Sequence, residues 1–332
     1  MHIEEKIAFL RQPDVYPDRP KRVEVIETHM SWVFLTESLV YKLKKPVRYD
    51  FLDFSTLEAR QKDCEREVSL NRRLARQVYL GTVPLTRQGD GDLRLDGEGR
   101  VVDWLVQMRR LPADRMLDAA IRKGTVDGRD VQQVSQVLTD FYRRSVPLPI
   151  SPAEYLRRFE EDIQGNLMVL RDSRYALPTA QVERLAAAQR QFLAAQGGLL
   201  EQRARERRII DAHGDLRPQH ICLTAPPVII DCLEFNREFR SLDPVEELAY
   251  LAMECDRLGA PRIGDKILQG YLEAANDACP SKLIGFYKVF RACLRAKIAV
   301  WHTVDHQVQD HQRWLGLART YLDLAERYLH YW

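Results

Sequence analysis

The sequence predicts an α+β protein of two lobes: a small antiparallel-sheet lobe with one helix over residues 1–108, and a larger, mainly helical lobe over 109–332. Three observations predict it. The stretch RVEVIETHMSWVFLTESLVYKLKKPV, residues 22–47, holds two β-rich runs broken by polar residues. Residues 56–75, TLEARQKDCEREVSLNRRLA, set apolar or small side chains at helical spacing among charges. After Leu111 the helical period recurs segment after segment, with one β-rich island inside it.

The elements follow in order. The two runs of residues 22–47 read as antiparallel strands, the second ended by Pro46. Ser55 or Thr56 is placed to cap the helix that follows, because a hydroxyl there accepts a first-turn amide. Next come a strand and a hairpin whose Asp96-Gly97-Glu98-Gly99 turn supplies residues tolerant of positive φ. Segments near 113–123, 128–145, 152–171 and 179–206 read as helices. The island HGDLRPQHICLTAPPVIIDCLEF gives two short apolar strands around Pro226 and Pro227, and helices return from Pro244 to the end.

Composition narrows the class. A chain of 332 residues with 45% apolar and 30% charged residues buries a sizeable core. Fifty basic residues against 48 acidic ones give a net charge of +2, so no whole-chain field points to nucleic acid or an anionic membrane. The six cysteines are scattered without a CxxC pair, which reads as free thiols in a reducing compartment. No apolar run approaches the ~18 to 20 residues that span a bilayer. The expectation is a soluble, cytoplasmic protein.

The chemistry concentrates in the island. Asp215 follows His213-Gly214 and stands five residues before His220, and Asp231 closes the second short strand. Phosphoryl transfer needs one carboxylate to orient and accept the proton of the attacking hydroxyl, and another to hold the metal that bridges the phosphates. The string HGDLRPQH resembles the catalytic loop HRDLKPEN of protein kinases, and its His-Gly-Asp form is similar to the aminoglycoside phosphotransferase and choline-kinase-like branch of that fold. VYKLKKPV resembles the strand that supplies a phosphate-binding lysine, which makes Lys42 the match and Glu67, on the next helix, its ion-pair partner. VQMRRL resembles the hinge, so the backbone of Gln107, Met108 and Arg109 is expected to read the adenine edge. SWVFL, YKLKKP, FLDFSTLEAR and DCLEFNREFRSLD resemble an uncharacterised bacterial subgroup, some of whose members are fused to a P-loop ATPase that this sequence lacks.

That resemblance, from about Val23 to Tyr328, implies a protein-kinase-like fold using ATP or GTP with Mg²⁺ or Mn²⁺. It implies Asp215 as catalytic base, Arg217 as a stabiliser of transferred-phosphate charge, and Asp231 as metal ligand. Two departures bear on this. The family's metal-binding Asn is His220 here, and imidazole suits Mn²⁺ better than Mg²⁺. No glycine lies between Val23 and Tyr41, so backbone amides of residues 28–31, ending at Ser31, are the expected phosphate cap.

Blander roles compete at several positions. Lys44 and Lys45 beside Lys42 suit a solvated basic edge, Glu65 rivals Glu67, and Asp243 suits a helix cap. Glu234 and Asn236 fit loop hydrogen bonds as well as metal support. His302 and His306, four apart, suit a solvated helix face. The function expected is a kinase moving a phosphoryl group to a hydroxyl of a small metabolite. The alternative, motivated by His220 and the absent glycines, is a nucleotide-binding pseudokinase that regulates a partner. The sequence leaves the acceptor and the oligomeric state open.

Overall fold

A computed structural model describes residues 2–49, 52–89, 91–304 and 310–331. His306 lies outside them. The chain forms two compact units, one of residues 1–116 with 228–239, the other of 117–227 with 240–332. The first unit thus runs past the expected boundary at 108 and takes back the short segment that carries Asp231.

In the first unit, helix α1 (Ile3–Leu10) precedes strands β1 (Glu24–Glu27), β2 (Ser31–Leu35) and β3 (Leu39–Lys44). There are three strands where the sequence suggested two, because the tight turn at residues 28–31 splits the first β-rich run. Two-residue strands β4 (Arg48–Tyr49) and β5 (Leu52–Asp53) pair with each other. Helix α2 (Leu57–Ala75) follows, capped by Thr56, whose hydroxyl accepts from the Ala59 amide. Strands β6 (Tyr79–Arg87), β7 (Leu93–Leu95) and β8 (Arg100–Arg109) complete a six-stranded sheet of order β1-β2-β3-β8-β6-β7, antiparallel throughout. Asp96 and Gly99 take φ 52 and 127 in the expected turn; a Cβ at Gly99 would meet the Arg87 carbonyl at 2.5 Å.

Strand alternation sorts β3 into two faces. Tyr41 and Leu43 join Leu10, Tyr16, Phe34 and Leu105 in an apolar core. Lys42 and Lys44 point the other way, toward α2. Helix α1 was not foreseen; its Leu10 is buried in that core, and Ile3, Ile7 and Phe9 pack against it.

In the second unit, helices α3 (Leu117–Lys123), α4 (Gly128–Arg144), α5 (Pro152–Leu170) and α6 (Thr179–Arg205) match the four expected segments. Strand β9 (Ile210–Asp211) pairs with β12 (Ser241–Leu242), and between them along the chain come β10 (Ile221–Cys222) and β11 (Val228–Ile229), the latter in the first unit. Helices α7 (Pro244–Arg257), α8 (Pro261–Ala275), α9 (Ser281–Trp301) and α10 (His311–Tyr328) finish the chain. Residues 244–255 of α7 are all buried. Such a helix sits inside a bundle with no solvent face, so its polar side chains all need partners. Among the described residues no helix is long and apolar enough to cross a membrane, and five of the six cysteines are buried free thiols.

Candidate active site

In the first unit, the face of β3 opposite the apolar core carries a buried charge network. Lys42 Nζ lies 2.9 Å from Glu67 Oε1 and 3.2 Å from Asp231 Oδ1. Lys44 Nζ lies 2.6 Å from Glu67 Oε2 and 2.6 Å from Glu234 Oε1. Asp63 Oδ2 is also 2.7 Å from Lys44, within ion-pair range though outside hydrogen-bond geometry. Asp63 and Glu67 are four apart on α2, so both carboxylates leave one helix face toward β3. Lys44 is therefore no solvated edge; it is fully buried. Glu65 turns outward to bond Gln61, leaving Glu67 as the inner carboxylate.

Burial would lower the Lys42 ammonium, but Asp231, Glu67 and Glu234 outweigh it and raise it well above its ordinary value, so it is charged at neutral pH. Glu234 behaves in the opposite sense. Burial, with Glu67 and Asp63 adding repulsion against the pull of Lys44 and Lys42, pushes its carboxyl up to about 7.

Asp231 sits in the left-handed region at φ 63, a conformation that costs a non-glycine residue energy and recurs at functional sites. Its amide donates to the Tyr79 hydroxyl at 3.1 Å, and the next amide, of Cys232, donates to Asn71 Oδ1 at 2.9 Å. Helix α2 thus holds both Lys42's partner and the chain just past Asp231. The Asp231 side chain is 47% exposed, against 1% for Glu67. It is the most exposed carboxylate of the network, and its hard oxygens are of the kind that could hold Mg²⁺ or Mn²⁺, which take one or two carboxylates together with substrate phosphates. Among the described residues, no group of three or more His, Cys, Asp or Glu side chains is arranged to hold a metal by itself.

In the second unit, the loop carrying Asp215 is gripped from α7. Glu247 accepts the amide of Gly214 at 2.6 Å and that of His213 at 3.0 Å, and takes the Tyr142 hydroxyl at 2.9 Å. Gly214 adopts φ 88, which favours glycine and turns the loop so that two successive amides face one carboxylate. His213, fully buried, accepts the Asp215 amide on Nδ1 at 3.3 Å and so braces the backbone of the loop. The Asp215 carboxylate accepts from Tyr250 Oη at 2.9 Å on one oxygen and from Arg217 Nη2 at 2.6 Å on the other. Burial alone would raise this carboxyl, but Arg217, then His220 and Arg295, and the Tyr250 hydroxyl bring it down to about 2. Asp215 is an ionised acceptor, strong at orienting a hydroxyl and weak as a proton sink before bonds change.

Five expected site residues are placed differently from their expected use. His220 has Nδ1 2.8 Å from the Asp215 carbonyl, so that nitrogen carries the hydrogen, and Nε2 lies 3.2 Å from Arg217 Nη2. Both ring nitrogens are occupied within the loop, and His220 is a brace of Asp215 where a metal ligand was expected. Ser31 is buried at the start of β2, and its amide donates to Thr28 Oγ1 at 3.0 Å inside the turn, so that amide does not cap a phosphate. Gln107, Met108 and Arg109 end β8 in register with Tyr41, Val40 and Leu39 of β3, and the Arg109 amide donates to the Val78 carbonyl. Gln107 and Met108 are also in register with Gly81 and Tyr79 of β6, so their main chain is taken up by the sheet on both sides. Asp243 is the N-cap of α7, accepting from the Val245 amide, and is further tied to Arg203 at 2.6 Å.

Glu247 and Tyr250 went unnoticed in the sequence. The signal was present: VEELAY follows the cap of a helix that proves fully buried, and a buried carboxylate or phenol demands a partner. The helix's burial itself was not legible from its composition.

No family model matches the sequence. Uncharacterized proteins of Mycobacterium bovis and Mycobacterium tuberculosis are 33% identical over 283 residues, covering 83% of this chain and 54% of theirs, so the chain spans about half the length of these relatives. Among solved structures, a choline/ethanolamine kinase family protein from Mesorhizobium loti covers 98% of both chains with a TM-score of 0.57 at 14% identity. Spectinomycin phosphotransferase bound to AMP covers 97% of this chain and 98% of its own, with a TM-score of 0.53 at 13% identity. The choline kinase LicA of Streptococcus pneumoniae gives 97% and 99%, 0.51 and 14%. The chain has the α+β protein-kinase-like fold that these choline/ethanolamine kinases and the aminoglycoside-type phosphotransferase share.

Proposed function

We propose that this protein is a phosphotransferase that moves the γ-phosphoryl group of ATP or GTP to a hydroxyl of a small metabolite. The observation that carries the reading is a charged lysine, Lys42, held between buried Glu67 and the exposed, left-handed Asp231. Such a lysine contacts nucleotide phosphates, and such a carboxylate takes the metal that accompanies them. When bound, Mg²⁺ or Mn²⁺ neutralises charge developing on the phosphate oxygens. The choline and ethanolamine kinases and the AMP-bound spectinomycin phosphotransferase among the structural neighbours support the same reading.

In the reaction, an acceptor oxygen forms a bond to the γ-phosphorus as the bond to the bridging oxygen of the nucleotide breaks. The diphosphate leaves with that electron pair. Asp215 orients the attacking hydroxyl and receives its proton, late in the step given its low pKa. Arg217, now paired with Asp215, is the donor that would turn to the transferred group's oxygens. The test is nucleotide diphosphate formation with a panel of hydroxyl compounds. Acceptor-dependent turnover that drops ~100-fold or more in Asp215→Asn supports the assignment, whereas equal turnover in the variant removes Asp215 from the chemistry.

A further inference from the structure

Beyond the loop, α7 continues away from Tyr250, the partner of Asp215, to Glu254 one turn on and then to Arg257. Glu254 is buried, and both its oxygens are taken: Oε1 by the Tyr321 hydroxyl at 2.6 Å, Oε2 by Arg257 Nε at 2.8 Å. Arg295 reaches in from α9. Its contacts run through Nε at 3.5 Å, to Glu254 Oε1 and Tyr321 Oη, both long for hydrogen bonds. Neither of its terminal nitrogens has a hydrogen-bond partner among the described residues.

This sets Arg295 apart from the arginines that hold the bundle together. Arg203 makes four bonds of 2.6 to 2.7 Å to Asp243 and Asp277, and Arg291 lies 2.5 Å from Glu246. A guanidinium 13% exposed, lying over the Tyr321 ring at 5.7 Å with its terminal nitrogens unbonded among the described residues, is open to a partner that the fold does not supply. The local balance points the same way. The ion pairs here set Arg217 against Asp215, and both Arg257 and Arg295 against Glu254, so the guanidiniums exceed the carboxylates they pair with by one. A cation seated beside Arg295 would meet that excess positive charge.

We infer that the acceptor is an anionic hydroxyl compound, a hydroxy acid or a sugar phosphate, whose negative group is bound by Arg295 with Arg217 and Arg257 beside it. This rests on the phosphotransferase reading and sets the acceptor apart from choline and ethanolamine, which are cations. The transfer is the one already written: the acceptor's O–P bond forms, the nucleotide's bridging bond breaks, and the hydroxyl proton goes to Asp215.

The experiment compares gluconate and D-glycerate, ribose 5-phosphate, ribitol and choline in two readouts: nucleotide diphosphate formation with ATP or GTP and Mg²⁺, and thermal stabilisation by each compound alone. The expected result is kcat/KM at least tenfold higher for an anionic compound than for ribitol or choline. Arg295→Gln should raise KM for that compound about tenfold or more while moving the ribitol value little, and Arg295→Lys should restore part of the loss. The carboxylate and phosphate members distinguish the two sources of the charge. Preference for choline, equal weakening of anionic and neutral acceptors in Arg295→Gln, or neither turnover nor stabilisation with any anionic compound would overturn the inference. A nucleotide-dependent stabilisation lost in Asp231→Ala would then still stand for the phosphotransferase reading, separating the failure of one from the failure of the other.

Discussion

Lys44 holds Oε2 of Glu67 at 2.6 Å while its neighbour on the same strand face, Lys42, holds Oε1 at 2.9 Å. One carboxylate therefore fixes two lysines with different tasks. Lys42 reaches the exposed Asp231, and Lys44 is closed in with Glu234 and Asp63.

That division predicts unequal costs. Lys44→Met leaves Glu67, Glu234 and Asp63 buried around a single remaining lysine, and breaking a buried pair in this way costs about 3 to 5 kcal/mol. Lys42→Met leaves Glu67 still paired with Lys44 and should cost clearly less, while abolishing nucleotide-induced stabilisation. Urea denaturation of the two variants measures the first contrast, and thermal melts with nucleotide the second. Equal destabilisation would contradict the division of roles.

Glu234 gives a pH signature. Its carboxyl is raised from an ordinary 4.5 to about 7 in the folded chain, chiefly by burial. Between those values the folded state keeps a proton that the unfolded chain releases, so this group's contribution to stability is fully present below pH 4.5 and lost as pH rises through 7. Glu234→Gln should flatten that decline, by on the order of 2 to 3 kcal/mol across the window. Denaturation midpoints of wild type and variant at pH 5 and pH 8 test it; parallel profiles would show that Glu234 titrates normally.

Asp215 is predicted to leave no mark on the acid limb of the activity profile. Arg217 and its neighbours hold the carboxyl near 2, so it stays ionised down to pH 4. An activity loss between pH 5 and 7 that disappears in Asp215→Asn, measured on the residual activity, would contradict this.

Glu247 should act through the loop it grips. Glu247→Leu removes the acceptor of two backbone amides and a tyrosine hydroxyl, leaving buried donors unpaired at a cost of about 1 to 3 kcal/mol each. Turnover should fall about tenfold or more while nucleotide affinity, which depends on Lys42 and Asp231, changes little. Kinetics beside nucleotide titration separates the two effects.

Much of this was legible in the sequence, for physical reasons that differ by residue. The alternation of YKLK announces that Lys42 and Lys44 share a face, and the i, i+4 spacing of Asp63 and Glu67 announces which helix face answers them. What the pattern does not announce is depth. Lys44 reads as a surface charge beside Lys45, yet it is fully buried because three carboxylates meet it. His220 occupies the place of a metal-binding Asn, but only the fold reveals that the Asp215 carbonyl and Arg217 take both its nitrogens. Ser31 stands in the phosphate-cap position by spacing alone, and its turn consumes the amide locally. Tyr250 and Glu247 were hidden by the same cause as Lys44, since burial of α7 on all sides is decided by its neighbours.

If Lys42, Glu67 and Asp231 form a nucleotide and metal site, it shows in the thermal stability of the purified protein with ATP or GTP, with and without Mg²⁺ or Mn²⁺, measured beside Asp231→Ala. A ligand selective for the folded state raises its stability in proportion to the logarithm of saturation. The expected result is a metal-dependent upward shift for at least one nucleotide that vanishes in Asp231→Ala. No shift with any combination, or a shift that survives the substitution unchanged, would contradict it.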